Sequence, residues 1–352
     1  SSRLHERVLS IQLMLHVYPA TNLACLIFFM QNVAAAMNPA SPRAIATNLF
    51  NFKVASDFWA AMVRTRSVDD LPGFVRGDTT YGVTRLELLN KAGRLSGEFD
   101  SSDLRYSKRK TFALRVGYQG CLYPYGYQRQ RVHDADLITV EYDLKRALNL
   151  KVRIFSAGRT DKAVSAVSQI INVVTAEKYR SQDILLPAQS SEPVSAGRLA
   201  VYECHRVPKA FNARQSCSWR RYVYLAPFTS TGITVDVPFI DECLRNIEGM
   251  TLPFNAFSYG KFRGQGHDEQ VVCHIYRARA SVVNLDLQHE SPQALCIEFV
   301  GSRFLRRMVR LLVSTVVRES TLPALSRRNS VIRNICESDD RSLSAFPFPG
   351  EG

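Results

Sequence analysis

The sequence predicts an α+β fold preceded by an N-terminal extension. Three observations carry the prediction. Short stretches of apolar–polar alternation recur from Thr111 onward, the mark of half-buried strands. Helical stripes at Val140–Leu148 and Phe304–Val317 separate or follow them, giving strand–helix–strand units with antiparallel partners. With 352 residues, 46% hydrophobic and 22% charged, the chain can bury a full core and is too apolar to be disordered.

Residues 1–106 carry no chemical motif and form the extension. The first 56 residues contain one acid, Glu6, and no formal charge falls between Val8 and Pro42. Leu23–Met30 is wholly apolar, but Pro19, Asn22, Gln31 and Asn32 interrupt the run, so no membrane span is expected. The scarcity of acids suggests a mitochondrial address, with cytoplasm or nucleus as alternatives. Ser56–Arg66, with Phe58, Met62 and Val63 at helical spacing, predicts one helix. Thr84–Ala92 predicts another, with Thr84 and Glu87 spaced as a capping box. A polar stretch ending in Lys108-Arg109-Lys110 marks the boundary.

Beyond it, Phe112, Leu114, Val116 and Tyr118 alternate with smaller or polar residues and predict a strand. A glycine- and tyrosine-rich loop follows, Gly120–Gln130. Thr139 is the expected N-cap of a helix with Glu141 in its first turn and Val140, Leu144, Ala147 and Leu148 on one face. Val152–Phe155 and Ile170–Val174 read as strands, as do Trp219–Leu225, Ala278–Leu287 and Leu295–Val300. The last helix, Phe304–Val317, has the apolar stripe Phe304, Met308, Leu311, Leu312 and Val316.

The balance of 45 Lys+Arg against 32 Asp+Glu gives a net charge of +13, which favours a polyanionic partner. The eight cysteines include no Cys-x-x-Cys pair. The nearest approach to a metal set, His267, Cys273 and His274, lacks a matching second pair, so free thiols in a reducing compartment are expected instead.

The segment carrying the most chemistry lies between the strands at Val152 and Ile170. It reads Ala157-Gly-Arg-Thr-Asp161-Lys-Ala-Val-Ser-Ala166. A carboxylate on a glycine-started turn, with an arginine two positions before it, presents one nucleophile or general base to a cleft. Gly-Arg-Thr-Asp alone is an ordinary polar turn. The longer string resembles the signature of the TruA family of pseudouridine synthases, departing from it at Ala163, where the family usually has glycine. Three further stretches, one upstream of this segment and two downstream, stand in that family's order. Arg115-Val-Gly-Tyr-Gln-Gly120 with Tyr125-Gly-Tyr-Gln-Arg-Gln130 resembles its opening strand and loop, with Tyr127 where tryptophan or phenylalanine is common. Phe211-Asn-Ala-Arg214 and Arg220-Arg-Tyr-Val-Tyr224 resemble its Phe-x-Ala-Arg and Arg-x-Tyr-x-Tyr elements. Phe299-Val-Gly-Ser-Arg-Phe-Leu-Arg-Arg-Met-Val-Arg310 resembles the strand and glycine that open its last helix. A fourth element is degenerate: Leu252-Pro-Phe-Asn-Ala-Phe257 keeps the aromatic spacing at Phe254 and Phe257 but lacks the family's His-Asp pair.

The resemblance runs from Arg109 to Arg318 and implies a pseudouridine synthase fold. In that fold two ferredoxin-like halves, 107–207 and 208–352 here, flank a basic RNA cleft. It implies an isomerase without cofactor or metal, acting on the anticodon arm of tRNA. The alternative is an RNA-binding assembly factor for an organellar ribosome, acting on ribosomal RNA or only binding it. By the match Asp161 is the nucleophile or base, Tyr222 packs against the target base, and Arg310 pairs with Asp161 and keeps it ionised. Arg159 braces the space the base vacates. The expected RNA contacts are Arg159, Lys162, Tyr127, Gln128, Gln130, Arg214, Arg220, Arg303, Arg306 and Arg307. Between Gly301 and Asn334 eight arginines meet one acid, Glu319, which reads as a single basic face for phosphates. Ala163 is expected at ordinary negative φ, with the turn still presenting Asp161 to the cleft. Protein partners are expected through residues 1–106, and a homodimer stays open.

Overall fold

The computed structural model describes residues 109–128, 137–150, 152–176, 178–228, 235–258, 272–285 and 292–347. The helices expected at Ser56–Arg66 and Thr84–Ala92, the uncharged stretch, Gln130 and His267 lie outside them. Among the described residues no helix is long and apolar enough to cross a membrane, and no group of three His, Cys, Asp or Glu side chains could hold a metal.

The first half is a four-stranded antiparallel sheet. Strand β1 (Arg109–Tyr118) sends Phe112, Leu114, Val116 and Tyr118 to one face, where each is at most 1% exposed, as the alternation predicts. It pairs with β3 (Ala166–Ala176), setting Phe112 opposite Val173, and with β4 (Leu199–Val207), setting Leu114 opposite Cys204. The short edge strand β2 (Ile154–Ser156) pairs with β3, so the sheet order is β2-β3-β1-β4. Helix α1 (Val140–Leu148) starts where Thr139 Oγ1 accepts the Tyr142 N–H at 3.2 Å. It buries Val140, Leu144, Ala147 and Leu148 in the same core. Helix α2 (Ser181–Gln189) and the single turn α3 (Glu192–Ser195) lead into β4, completing a β-α-β-β-α-β path. Buried Asp143 on α1 accepts from Tyr123 Oη at 3.1 Å and from Arg198 Nε at 2.8 Å. That pairing ties the loop after β1 to α1 and to the head of β4.

The second half is again antiparallel. Strands β5 (Arg220–Pro227), β6 (Thr251–Pro253), β7 (Val272–Asn284) and β8 (Gln293–Gly301) lie in the order β5-β8-β7-β6. Helix α4 (Val237–Arg245) starts at Asp236, whose Oδ1 accepts the Phe239 N–H at 3.1 Å. Helices α5 (Met308–Ser320) and α6 (Val331–Ser338) follow β8. Here the path is β-α-β-β-β-α, so the strand order of the first half is not repeated. Phe254 and Phe257 are fully buried, with ring centroids 6.2 Å apart. They serve the core of this half.

Glu298 on β8 is fully buried between two arginines on the flanking strands. Arg277 Nε donates to Oε2 at 2.8 Å. Arg221 Nε lies 2.6 Å from Oε1, a close ion pair whose N–H does not point along the contact.

The antiparallel α+β expectation stands, with corrections at the element ends. The strand before the Asp161 turn begins at Ile154, and the one after it begins at Ala166, four residues ahead of Ile170. Strand β7 starts six residues before Ala278 and stops at Asn284. Helix α5 starts at Met308, not Phe304, because Arg307 holds φ 61°, the left-handed region that no α-helix can propagate through. The arginines after Gly301 do not form one face. Arg303, Arg306, Arg307 and Arg310 line a cleft. Arg327 instead pairs with Asp236 at 2.5 Å and Arg333 with Glu337 at 2.7 Å.

Candidate active site

The turn at Gly158–Ser165 is held from several sides by its own half. Tyr118 Oη and Thr160 Oγ1 share a hydrogen bond at 3.0 Å, and Tyr127 N–H donates to Thr160 O at 3.3 Å. Gln169 Nε2 donates to Gly158 O at 2.5 Å, and Gly120 N–H to Ser165 Oγ at 2.9 Å. Two glycines let the loop after β1 come this close. A Cβ on Gly120 would overlap the carbonyl carbon of Val164 and lie 2.5 Å from Ser165 N and 2.6 Å from Ala163 C. Gly126 has φ +73°, and a Cβ there would lie 3.1 Å from Lys162 N.

What this clamping leaves exposed is the Asp161 side chain, partly accessible at the wall of a cleft of about 1770 Å³. That volume exceeds the ~300–1,000 Å³ usual for small-molecule pockets. Tyr222, half-buried on β5, faces the turn: its hydroxyl would be 3.7 Å from a Cβ on Gly158. Burial pushes the Tyr222 hydroxyl pKa up, the Asp161 charge adds to the shift, and Arg220 opposes it. The phenol therefore stays neutral beside the carboxylate. Phe304 packs edge-on against Tyr222, with centroids 5.0 Å apart, and so extends the aromatic wall. Phe304 is not part of a helical stripe.

Asp161, Tyr222, Arg310, Arg159, Lys162, Tyr127, Gln128, Arg214, Arg220, Arg303, Arg306 and Arg307 all line this one cleft. Its lining holds nine Lys or Arg side chains against two acids, Glu141 and Asp161, so the surface is strongly cationic. The ion pair formed by Asp161 is with Arg306, whose Nε stands 4.0 Å from Oδ1. Arg310 sits in the first turn of α5 along the same wall. Because α5 begins only at Met308, Arg306 lies in the turn that precedes it.

Three of the residues expected to contact RNA also make contacts within the protein. Tyr127 is 4% exposed, its ring 6.1 Å from that of Tyr118, so it belongs to the core beneath the turn. Gln128 accepts from Arg159 Nη1 at 2.8 Å, and both side chains are exposed at the cleft. Arg220 donates to main-chain carbonyls: Ala157 O from Nε (2.9 Å) and Nη2 (2.7 Å), Ser302 O from Nη1 (2.7 Å), and Arg214 O from Nη2 (3.3 Å). Arg153 and Gln169 join the site without having been singled out in the sequence, and Phe304 joins it in place of the helical stripe expected of it. Phe304 was legible as part of the third family element, whereas Arg153 and Gln169 sit in strand-like stretches that carry no chemical signal.

The chain is similar to bacterial proteins named tRNA pseudouridine synthase A. One from Protochlamydia amoebophila is 25% identical over 268 residues, 71% of this chain and 95% of that protein. One from Buchnera aphidicola is 25% identical over 251 residues, 69% and 88% of the two chains. One from Escherichia coli O1:K1 is 26% identical over 248 residues, 68% and 86%. Over about seven-tenths of its length the chain is similar to the TruA pseudouridine synthases. No protein-family model matches it. A solved structure of an unknown protein from Galdieria sulphuraria aligns with a TM-score of 0.19 and 12% identity over 55% of this chain and 81% of that one, too slight a likeness to bear on the fold.

Given that similarity, the alanine at the position where the TruA family usually has glycine is informative. Ala163 is buried and holds φ 63°, not the ordinary negative φ its side chain suggests. The left-handed region costs an alanine about 1–2 kcal/mol. Glycine would relieve that, but would lose about 0.5–1 kcal/mol in chain entropy and about 0.8 kcal/mol of methyl burial. These terms cancel to within about 1 kcal/mol, which is how alanine is tolerated. Ala163→Gly is expected to leave urea-unfolding stability within about 1 kcal/mol and turnover within about threefold. A tenfold loss of turnover would mean that the methyl itself orders the turn.

Proposed function

We propose that the protein is an RNA pseudouridine synthase that isomerises a uridine in the anticodon arm of tRNA. One observation carries the reading: a single carboxylate, Asp161, stands on a clamped turn beside Tyr222 at the wall of a large cationic cleft. Relatives named tRNA pseudouridine synthase A over about seven-tenths of the chain support it. The antiparallel path of the first half fits a ferredoxin-like unit, and the cleft is the natural place for RNA phosphates.

In this reading the target uridine leaves its stack and enters between Asp161 and Tyr222. Asp161 acts as nucleophile or base while the C1′–N1 bond breaks. The freed uracil turns, and C5 bonds to C1′. The C5 proton is then lost and N1 gains one, so atoms and electrons balance without a redox partner. Tyr222, backed by Phe304, gives the ring a flat wall during rotation. Arg306 stands 4.0 Å from the carboxylate, and Arg310 lines the same wall. Arg159, braced by Gln128, fills the space the base leaves.

A second reading keeps the fold but not the reaction: an RNA-binding assembly factor of a mitochondrial ribosome, docked to protein through residues 1–106. The left-handed Ala163 and the missing His-Asp pair at 252–257 favour it. Mapping pseudouridines in total RNA with and without the protein separates the readings. Loss of an anticodon-arm site supports the first. Unchanged RNA with impaired ribosome assembly supports the second. Both readings expect salt-sensitive binding. If about six cleft cations meet phosphates, affinity for a tRNA transcript should fall about 10³-fold between roughly 50 and 200 mM salt. A flat salt response would rule out this cleft as the RNA surface.

A further inference from the structure

The clamps on the Asp161 turn come from two sources. Those from Tyr118, Tyr127 and Gln169 belong to the first half and hold Gly158 and Thr160. Arg220 comes from the head of β5, in the second half. Its fork grips Ala157 O, immediately before the turn, and Ser302 O, immediately before the segment that carries Arg303, Phe304, Arg306 and Arg307. One rigid, planar cation therefore joins both walls of the cleft. The same segment brings Arg306 to 4.0 Å from Asp161 and Phe304 onto Tyr222. With Arg214 O also bound, at most one N–H of the fork is left for a ligand. Arg307, which ends this segment, holds a left-handed backbone, so the wall is strained and needs outside support.

We propose that Arg220 is a positioning residue that fixes the separation between the Asp161 turn and the Arg303–Arg307 wall, and with it the reach from carboxylate to bound base. Its effect on turnover rests on the synthase reading; its effect on the two segments does not. Arg220 touches neither base nor phosphate in this role, although its charge and its place in the cleft suggest an RNA contact. A lysine keeps the charge but offers a compact ammonium in place of the fork, and cannot reproduce the set of carbonyl bonds.

The test is Arg220→Lys in the full chain, read by turnover on a tRNA transcript and by amide hydrogen exchange in segments 158–165 and 302–307. The expected result is a fall in kcat of at least tenfold with KM within about threefold, since a displacement of about 1 Å at a reacting group costs up to about 10²-fold. Exchange should quicken in both segments together. Weaker RNA binding with kcat intact would make Arg220 an RNA contact and overturn the proposal. So would exchange unchanged in either segment, whatever the activity. Wild-type protein without turnover would count against the synthase reading alone, and the exchange result would still decide for or against Arg220. If the lysine variant does not fold, Arg220→Gln is read in the same way. Loss of cooperative unfolding in both variants would assign Arg220 to the fold in place of the site.

Discussion

Replacing Asp161 with asparagine is expected to lower turnover at least about 10³-fold while leaving RNA affinity within about threefold. The amide keeps the shape of the carboxylate but is neither nucleophile nor base. The side chain is already partly exposed and forms only a 4.0 Å ion pair, so little of the fold rests on it. The turn is held by main-chain and Thr160 contacts that the substitution does not touch. RNA affinity resides in the cationic lining, and removing one acid from it cannot weaken phosphate binding. Single-turnover kinetics together with a binding isotherm check both halves of the expectation. Residual turnover within tenfold of the parent would exclude Asp161 as the catalytic carboxylate.

The largest structural effect is expected from Gly120→Ala. A methyl there meets main-chain atoms of Ala163, Val164 and Ser165, and not the yielding end of a side chain. The loop and the turn can separate only by breaking the bonds from Gly120 N–H to Ser165 and from Tyr127 N–H to Thr160 O. Overpacking in a close-packed interior costs about 1–3 kcal/mol, and a clash with main chain on both sides belongs at or above the top of that range. Because the same turn carries Asp161, activity should fall with stability, by about 10²-fold for a shift of about 1 Å. Urea unfolding and kcat measured on one preparation check this. A variant within about 1 kcal/mol of the parent and fully active would show that the loop does not lock the turn.

The parts of the fold legible in the sequence are those where one local rule decides. Strict alternation from Phe112 to Tyr118 and the Thr139 cap both appear in the structure because burial and capping act over a few residues. Helix α4 was open to the same reading, with Asp236 as cap and Pro238 at the start. Helix α2 was not: its N-cap is Arg180, it contains Pro187, and its cap bond runs from Arg180 N–H to Asp183. The start of α5 depends on a left-handed Arg307, a conformation that residue type does not announce. At the site, motif order pointed to the residues that share the cleft. Motif order could not divide the work among them. Tyr127 and Arg220 have the chemistry of RNA contacts, yet one is buried under the turn and the other is committed to main-chain carbonyls. Arg306, in the turn before α5, stands 4.0 Å from Asp161, a contact that the motif did not single out.

The central claim is that this chain isomerises uridine through Asp161. It is tested most directly by incubating the purified full-length protein with a tRNA transcript labelled with tritium at uridine C5. Forming the C5–C1′ bond must expel that label, whereas binding alone cannot. Tritium release that accumulates over several turnovers, maps to the anticodon arm and disappears in Asp161→Asn is the predicted result. Tight binding of the same transcript with no release, or release that persists in Asp161→Asn, would contradict it.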